Sequence, residues 1–433
     1  MLQRAGRSLG RWLRHWPRRK IVAVGAGFLA LLLVAVTTTG YEILHHFNAN
    51  IQQDDISGLL GAQPVNTHPQ AENIMVIGSD SRDGLSASYG TGLVTDQSDT
   101  LMVIHIPADR QWAEVMSIPR DSWVNIPACQ MGDGQLSSPT QFKINEAFAI
   151  GNLDGNHARL GVACTVKTVE QDTGIYINHF IVVNFTGFEN MVAALGGVYE
   201  CNPTAIDDPN SNLHLSAGNH LLTPTEALGY VRARYTLGDG SDLERIGRQQ
   251  AFMSSLVGRV RSELYNPLAV YRFLDAFTKS LTIDTQLGGI TGLYDLGQSL
   301  RAIPSSKIAF FTLPNYTDPS ATANVLWTQP EDGQIFASFR DDVPASSSLF
   351  GASTTASQPT AGTSSATSGP AEGGPHLAGL AGSPAAASTA AASPSAAATA
   401  SPGGTLSASP GTSPSARPLP IQVRTANQSI CAG

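Results

Sequence analysis

The strongest constraint on this chain is an apolar run that opens behind a cluster of positive charge. Ile21 to Val36 holds only apolar residues and glycine, and the run continues through Thr37–Thr39 and Gly40 to Leu44. Ahead of it, the first twenty residues carry seven basic side chains, from Arg4 to Lys20, and no acid. About 20 apolar residues cross the hydrocarbon core of a bilayer as a helix, the form in which every backbone polar group is satisfied internally. Residues 21–44 are therefore predicted to be a transmembrane helix. The basic flank keeps residues 1–20 in the cytoplasm and places everything after Tyr41 outside. A cleaved signal peptide is the competing reading; the run is long for one and no clear Ala-x-Ala site follows, which favours a retained anchor.

Composition then divides what lies beyond. From about Ala345 to Pro420 the chain is Ala, Ser, Pro, Thr and Gly, with Glu372 and Arg417 almost its only charges. Such a segment buries too little apolar surface to offset its ordering entropy, so residues 343–420 are expected to be disordered, with a short end at 421–433. Residues 45–70 are mostly polar without a period and read as a stalk. One domain remains at 71–342, roughly 270 residues, enough for a substantial core. Removing the seven arm charges from 26 basic and 34 acidic residues leaves a net charge of −15. An acidic outer domain is a poor nucleic-acid binder, so no nucleic-acid partner is expected, and a basic cluster within it marks a local anion site.

That cluster lies between Thr223 and Gln250. Thr223 and Glu226 form a capping box with Pro224 at the first helical position, and Ser241 and Glu244 repeat the box before a second helix. Arg232 and Arg234 are two apart and share a side only where the first helix gives way to extended chain, expected near Val231. Arg245 and Gln249 share a helix face with Asp242. Extended arginines meeting this face would make a pocket for phosphate or pyrophosphate; a salt-bridged surface with Asp239, Asp242 and Glu244 is the plainer alternative.

The remaining pattern alternates strands and helices and predicts a mixed α/β domain. Asn73–Ile77, Asp99–Ile106 and Trp112–Ile118 read as strands, the last two as a hairpin that returns Arg120 to the end where Asp99 sits. An antiparallel first strand brings Asp80 to the same end. Two carboxylates there need a hard cation or an arginine between them. Helices are expected at His157–Thr173, across Phe188–Leu195, from Ser241, and at Pro267–Ser280 and Gly289–Ala302. Strands are expected at Phe180–Asn184 and Lys307–Leu313. Val198–Cys201 and Leu213–Leu215 read as short strands around a polar turn containing Asp207 and Asp208. The apolar faces of Phe188–Leu195 and Phe252–Val260 serve either as core or as a groove for an apolar chain.

Several chemistries are excluded. The chain has no P-loop, no Gly-x-Ser-x-Gly elbow and no dinucleotide fingerprint after its first strand. His214 and His220 are poor metal ligands by spacing, and no histidine is placed to activate Ser79 or Ser98. Cys129, Cys164, Cys201 and Cys431 all fall on the oxidising side and allow three pairings. Cys129–Cys164 is the pairing we expect, since the loop it closes stabilises by roughly 3–4 kcal/mol in the chain-entropy model; Cys201 then stays free or reaches Cys431.

In order, Gly78-Ser79-Asp80-Ser81-Arg82, Ser98-Asp99-Thr100, Ser117-Ile118-Pro119-Arg120-Asp121, Lys143-Ile144-Asn145-Glu146-Ala147, Tyr230-Val231-Arg232-Ala233-Arg234 and Ser241–Gln250 make a specific series. Over about Asn73–Val260 the chain resembles the LytR-CpsA-Psr family of bacterial cell-envelope proteins, in its actinobacterial form. The resemblance implies a mixed α/β domain, a sheet sandwiched by helices, with an apolar channel for a polyprenyl chain and arginines at its mouth. It implies a phosphotransferase that moves a glycopolymer from its polyprenyl-pyrophosphate carrier to a muramoyl hydroxyl of peptidoglycan, with magnesium, or manganese in its place. The polymer would be arabinogalactan or a teichoic-acid-like glycan. Asp80 and Asp99 match the family's metal-binding carboxylates. Arg120, Arg232, Arg234, Arg245 and Gln249 match its phosphate-binding set, with Arg82 and Arg248 beside them. The residue that takes the proton of the attacking hydroxyl is left open between Asp242 and Asp121. A lipid-pyrophosphate hydrolase and a non-catalytic regulator that binds the lipid stay as alternatives.

Overall fold

The computed structural model describes residues 18–79, 97–153, 155, 157–233, 242–263, 266–345 and 423–425, with the backbone alone at 18, 21, 242–243 and 423–425. Asp80, Arg82, Arg234, Cys431 and residues 346–420 of the segment predicted to be disordered lie outside these residues; its first three residues are ordered, with Ala345 buried and its N donating to Glu114 Oε2 at 3.1 Å. Among them, eight strands form one mixed sheet: β1 (Gln52–Asp54), β2 (Glu72–Ser79), β3 (Ser98–Ile106), β4 (Ala113–Ile118), β5 (His179–Asn184), β6 (Leu281–Asp284), β7 (Ile308–Thr312) and β8 (Val423–Thr425). Their order across the sheet is β1-β6-β5-β2-β3-β4-β7-β8. The β2–β3–β4 meander is antiparallel, and β5 and β7 flank it in parallel.

Helices cover both faces, giving the mixed α/β/α architecture expected. Strict alternation along β2 and β3 sends Met75, Ile77, Leu101 and Val103 to one face, where they pack with α2 (Ala158–Thr173) and a later helix, α8 (Glu331–Arg340). Ile74, Met102 and Ile106 go to the other. That second face lies under α5 (Asp242–Glu263), α6 (Pro267–Lys279) and α7 (Gly289–Ala302). A smaller core joins α3 (Phe185–Ala194) and α4 (Pro224–Arg232) to two hairpins around Val192, Leu213, Tyr230 and Phe252. In those hairpins Val198–Asn202 pairs with Gly218–Leu222, and Leu213–Leu215 with Ile206–Asp208. The single turn expected between the outer strands is thus replaced by two nested pairings.

The N-terminal helix α1 runs over Arg18–Asn50, and its Val22–Asn50 stretch is long and apolar enough to cross a membrane. It does not stop at Leu44. Phe47 is buried against Tyr271, and His46 and Asn50 bond Asp275 at 2.8 and 3.2 Å. The stalk expected at 45–70 is instead part of the domain. Ile51, Ile56 and Leu60 are buried, and Gln52–Asp54 adds an edge strand. Apolar residues spaced among polar ones carry no local period, yet each meets a non-local partner. At the far end, Val423–Thr425 pairs antiparallel with β7, so part of the expected short end joins the sheet.

Cys129 and Cys164 form a disulfide with Cα atoms 5.4 Å apart. Cys201 is disulfide-bonded too, which removes the free-thiol alternative.

Glu170 on α2 is 3% exposed and accepts hydrogen bonds from Ile177 N at 2.9 Å and Gln63 Nε2 at 3.0 Å. Burial pushes its pKa up to about 7 against those bonds. The folded state therefore holds an extra proton between the unfolded value near 4.5 and about 7, so this stabilisation is lost as pH rises through that window. The difference is roughly 3 kcal/mol at most. Glu170→Gln should flatten the pH dependence and gain stability relative to wild type above pH ~7, read by urea unfolding at several pH values. Parallel profiles for wild type and variant would contradict the assignment.

Candidate active site

The site forms where β2 and β3 end beside α4 and α5. Asp99 sits at a β-bulge between the pairs Gly78↔Thr100 and Ser79↔Ser98. Its carboxylate is ion-paired with the Arg120 guanidinium, which the β3–β4 hairpin returns to that end. Arg245, only 4% exposed, donates to the Asp99 carbonyl at 3.1 Å. One α-helical turn on, Gln249 Nε2 bonds Thr100 Oγ1 and the Val231 carbonyl, both at 3.1 Å. Arg245 and Gln249 thus share the predicted face.

The capping box of Thr223 and Glu226 opens α4 as expected. The helix continues to Arg232 and turns extended at Ala233 (φ −55°, ψ 136°), near the change expected around Val231. Tyr230, in its last turn, is buried in the smaller core. Arg232 lies over the Phe185 ring, 4.8 Å from its centroid, a cation–π contact that aims the guanidinium along the wall. Arg234 lies outside the described residues, as do Ser241 and the side chain of Asp242.

Together Asp99, Arg120, Arg232, Arg245 and Gln249 line a cavity of about 220 Å³, with Gly78 and Thr100 on its floor. Asp208, which sequence reasoning assigned only to a turn, lines it too. Three guanidinium groups against two carboxylates leave the described wall one positive charge in excess. Arg248 is placed otherwise. It donates to the Ala233 carbonyl, closing the end of α4, and burial lowers its pKa from the ordinary arginine range. Asp121 faces Lys143 at 2.7 Å and Arg120 at 3.8 Å, and works as an ion-pair partner beside the cavity.

The Lys143–Glu146 motif proves to be a brace. Asn145 Nδ2 bonds Gln97 Oε1 at 3.1 Å, Gln97 reaches Glu146, and Asn145 N donates to the Arg120 carbonyl at 3.3 Å. Gln97 precedes the Asp99 strand end, so the motif fixes both halves of the Asp99–Arg120 pair.

Below the cavity the sheet is apolar but loosely covered. Val76, Ile104, Ile181 and Val183 are only half-buried, as are Met253 and Leu300 above them. On the opposite face Met75, Ile77 and Val103 are fully buried. Gly78 pairs with Val183 and Val76 with Ile181, so the half-buried seam leads directly to the cavity floor. The fit of a divalent metal turns on the donor set. Among the described residues no three His, Cys, Asp or Glu cluster as ligands. Magnesium takes one or two carboxylates and fills its shell with water and phosphate oxygen, so Asp99 on a wall with room beside it fits.

A model of the LytR_cpsA_psr family matches residues 33–338. The chain belongs to this family. It is 30% identical over 323 residues to the cell wall biosynthesis protein LcpA of Corynebacterium glutamicum, covering 69% of this chain and 60% of the relative. It is 36% identical over 220 residues to the probable cell wall biosynthesis protein LcpB of the same organism, covering 49% and 48%. To the polyisoprenyl-teichoic acid–peptidoglycan teichoic acid transferase TagT of Bacillus subtilis it is 28% identical over 302 residues, covering 67% and 85%. The chain thus spans less than two thirds of the length of either corynebacterial relative.

A Cβ added at Gly78 would stand 3.0 Å from Thr100 Cβ, at the cavity floor. Gly78→Val should therefore displace Thr100, release Gln249 and lower affinity for inorganic pyrophosphate about tenfold, with an overpacking cost of roughly 1–3 kcal/mol in unfolding. Unchanged pyrophosphate affinity, measured by calorimetry, would remove the floor from the site.

Proposed function

We propose that this chain is a metal-assisted phosphotransferase that moves a cell-wall glycopolymer from a polyprenyl-pyrophosphate carrier onto peptidoglycan. The observation that carries the reading is the junction of an arginine-lined cavity with a half-buried apolar seam on one sheet face. A lipid diphosphate has this same order of parts, apolar chain first and paired phosphates next. The cavity volume, about 220 Å³, suits a diphosphate rather than a sugar chain. Relatives named as cell wall biosynthesis proteins and as a teichoic acid transferase agree with it. The domain would stand outside the membrane on its N-terminal helix, with the basic arm inside.

In this mechanism Arg120, Arg232 and Arg245 spread charge over the phosphate oxygens as the bond to the carrier loosens. Gln249 and Thr100 orient the diphosphate from the floor, and Arg234 and Arg82 extend the same set. An acceptor hydroxyl forms a bond to the glycan-side phosphorus while the bond to the polyprenyl phosphate breaks. The hydroxyl proton ends on the departing polyprenyl phosphate. Asp80 and Asp99 would hold magnesium, which when bound supplies Lewis-acid polarisation of the phosphate oxygens.

The test is to incubate the full chain with a lipid-pyrophosphate glycan, peptidoglycan strands and magnesium. Polymer attached to wall is the expected product; free phosphorylated polymer would mean a hydrolase, and unchanged bound lipid a binder. Variants separate the parts. Asp99→Asn should hold lipid affinity and abolish transfer. Arg232→Ala should weaken lipid binding by about ten- to a hundred-fold, the loss of one charge-assisted contact of ~1.5–3 kcal/mol, with Arg232→Lys restoring part of it. A sharp fall in Tm for Arg232→Ala with normal binding by the folded fraction would make the arginine structural.

A further inference from the structure

A second cavity, larger than the first, opens on the other face of the same strand ends. Its volume is about 520 Å³, within the ~300–1,000 Å³ range of small-ligand sites. Ser79 and Asn184, register partners at the ends of β2 and β5, form its inner edge. Each directly follows a residue of the opposite face, Gly78 or Val183, so the two cavities are separated by the thickness of the sheet.

Its far wall is held rigid. Residues Gln130, Met131, Gly132 and Gly134 line it, and the disulfide ties the adjacent Cys129 to α2. Lys167 Nζ bonds the Ala128 carbonyl at 2.7 Å, and Met131 N bonds the Gln135 carbonyl at 2.8 Å. Gly132 passes so close to His157 that a Cβ there would lie 2.3 Å from its ring. A side chain there would require the His157 ring to shift. A wall fixed by a covalent cross-link and close packing lowers the ordering cost of binding.

The lining selects the ligand class. Gln52, Gln130, Asn152 and Asn184 offer neutral amides, and Asp54 and Arg159 balance one another in charge. Phe148, Leu160 and Val182 give apolar contact. Neutral hydrogen-bonding groups over apolar patches suit hydroxyls, acetamido groups and sugar ring faces, and no cationic excess invites phosphate.

We propose that this cleft seats the acceptor, an acetamido-sugar strand of the wall, with its attacking hydroxyl presented past Ser79 toward the diphosphate. The proposal rests on the transferase reading above. Attacking and leaving oxygens lie roughly in line across phosphorus in phosphoryl transfer. The carrier departs along the strands through the seam, so the acceptor must arrive from beyond the strand ends, where Ser79 and Asn184 form the inner edge of this cleft. The donor's own glycan is thereby the competing occupant.

Gln130→Trp and Ala158→Trp test it, both at exposed positions in the lining. The full chain in detergent is assayed for transfer against soluble glycan strands released from peptidoglycan, and separately for binding of the lipid-pyrophosphate donor. Both variants should raise the acceptor KM about tenfold, as for losing one or two neutral hydrogen bonds, at unchanged donor affinity and Tm. Weakened donor affinity with unchanged acceptor KM would put the donor glycan in the cleft and overturn the proposal; no change in either would overturn it outright. Direct binding of the soluble strands distinguishes the two readings. Wild type that binds strands, with binding lost in both variants but no transfer, refutes the transferase and leaves the cleft a glycan site. Wild type that transfers but whose strand binding the variants leave intact refutes the cleft alone.

Discussion

Guanidinium groups repel one another and resist leaving water, so an arginine cluster must be built by groups that hold each cation without neutralising the whole. Here backbone carbonyls do most of that. Arg245, almost wholly buried, is held by the Asp99 carbonyl, and Arg248 by the Ala233 carbonyl. Asp99 and, at longer range, Asp121 engage Arg120. A carbonyl orients a cation and leaves its charge in place. The bulge at Gly78/Ser79 makes this arrangement available, because it turns Asp99 so that its carbonyl and carboxylate serve different arginines.

From this constraint the roles of the two sheet faces follow. The face under α2 and α8 buries Met75, Ile77, Leu101 and Val103 almost completely. The face under α5, α6 and α7 leaves Val76, Ile181 and Val183 partly uncovered, a loss of burial that a bound apolar chain would restore. The N-terminal apolar helix docks on α6 through Phe47, His46 and Asn50, on that loosely covered side.

Much of this was legible in the residues. Apolar runs between turn residues marked β2, β3 and β4, and one hairpin was enough to bring Arg120 to Asp99. The capping box at Thr223 and the four-residue spacing of Arg245 and Gln249 placed the helix-borne part of the cavity. What escaped depends on partners distant in sequence. Ile51, Ile56 and Leu60 carry no period, and only the edge of β6 and the flank of α2 make them core. Gln97, Asp208 and Phe185 reach the site through a brace, a nested hairpin and a helix start that no local pattern joins to it. The end of α4 at Arg232, with Ala233 extended, falls beside the point expected near Val231.

The central claim is that phosphate and lipid share one face of the sheet, joined at Gly78. A structure of the full chain with a non-hydrolysable polyprenyl-pyrophosphate analogue tests it most directly. The account predicts diphosphate oxygens between Arg120, Arg232 and Arg245 and the polyprenyl chain along Val76, Ile181 and Val183. A diphosphate seated among Gln130, Asn152 and His157 on the opposite face, or a chain lying outside the seam, would contradict it.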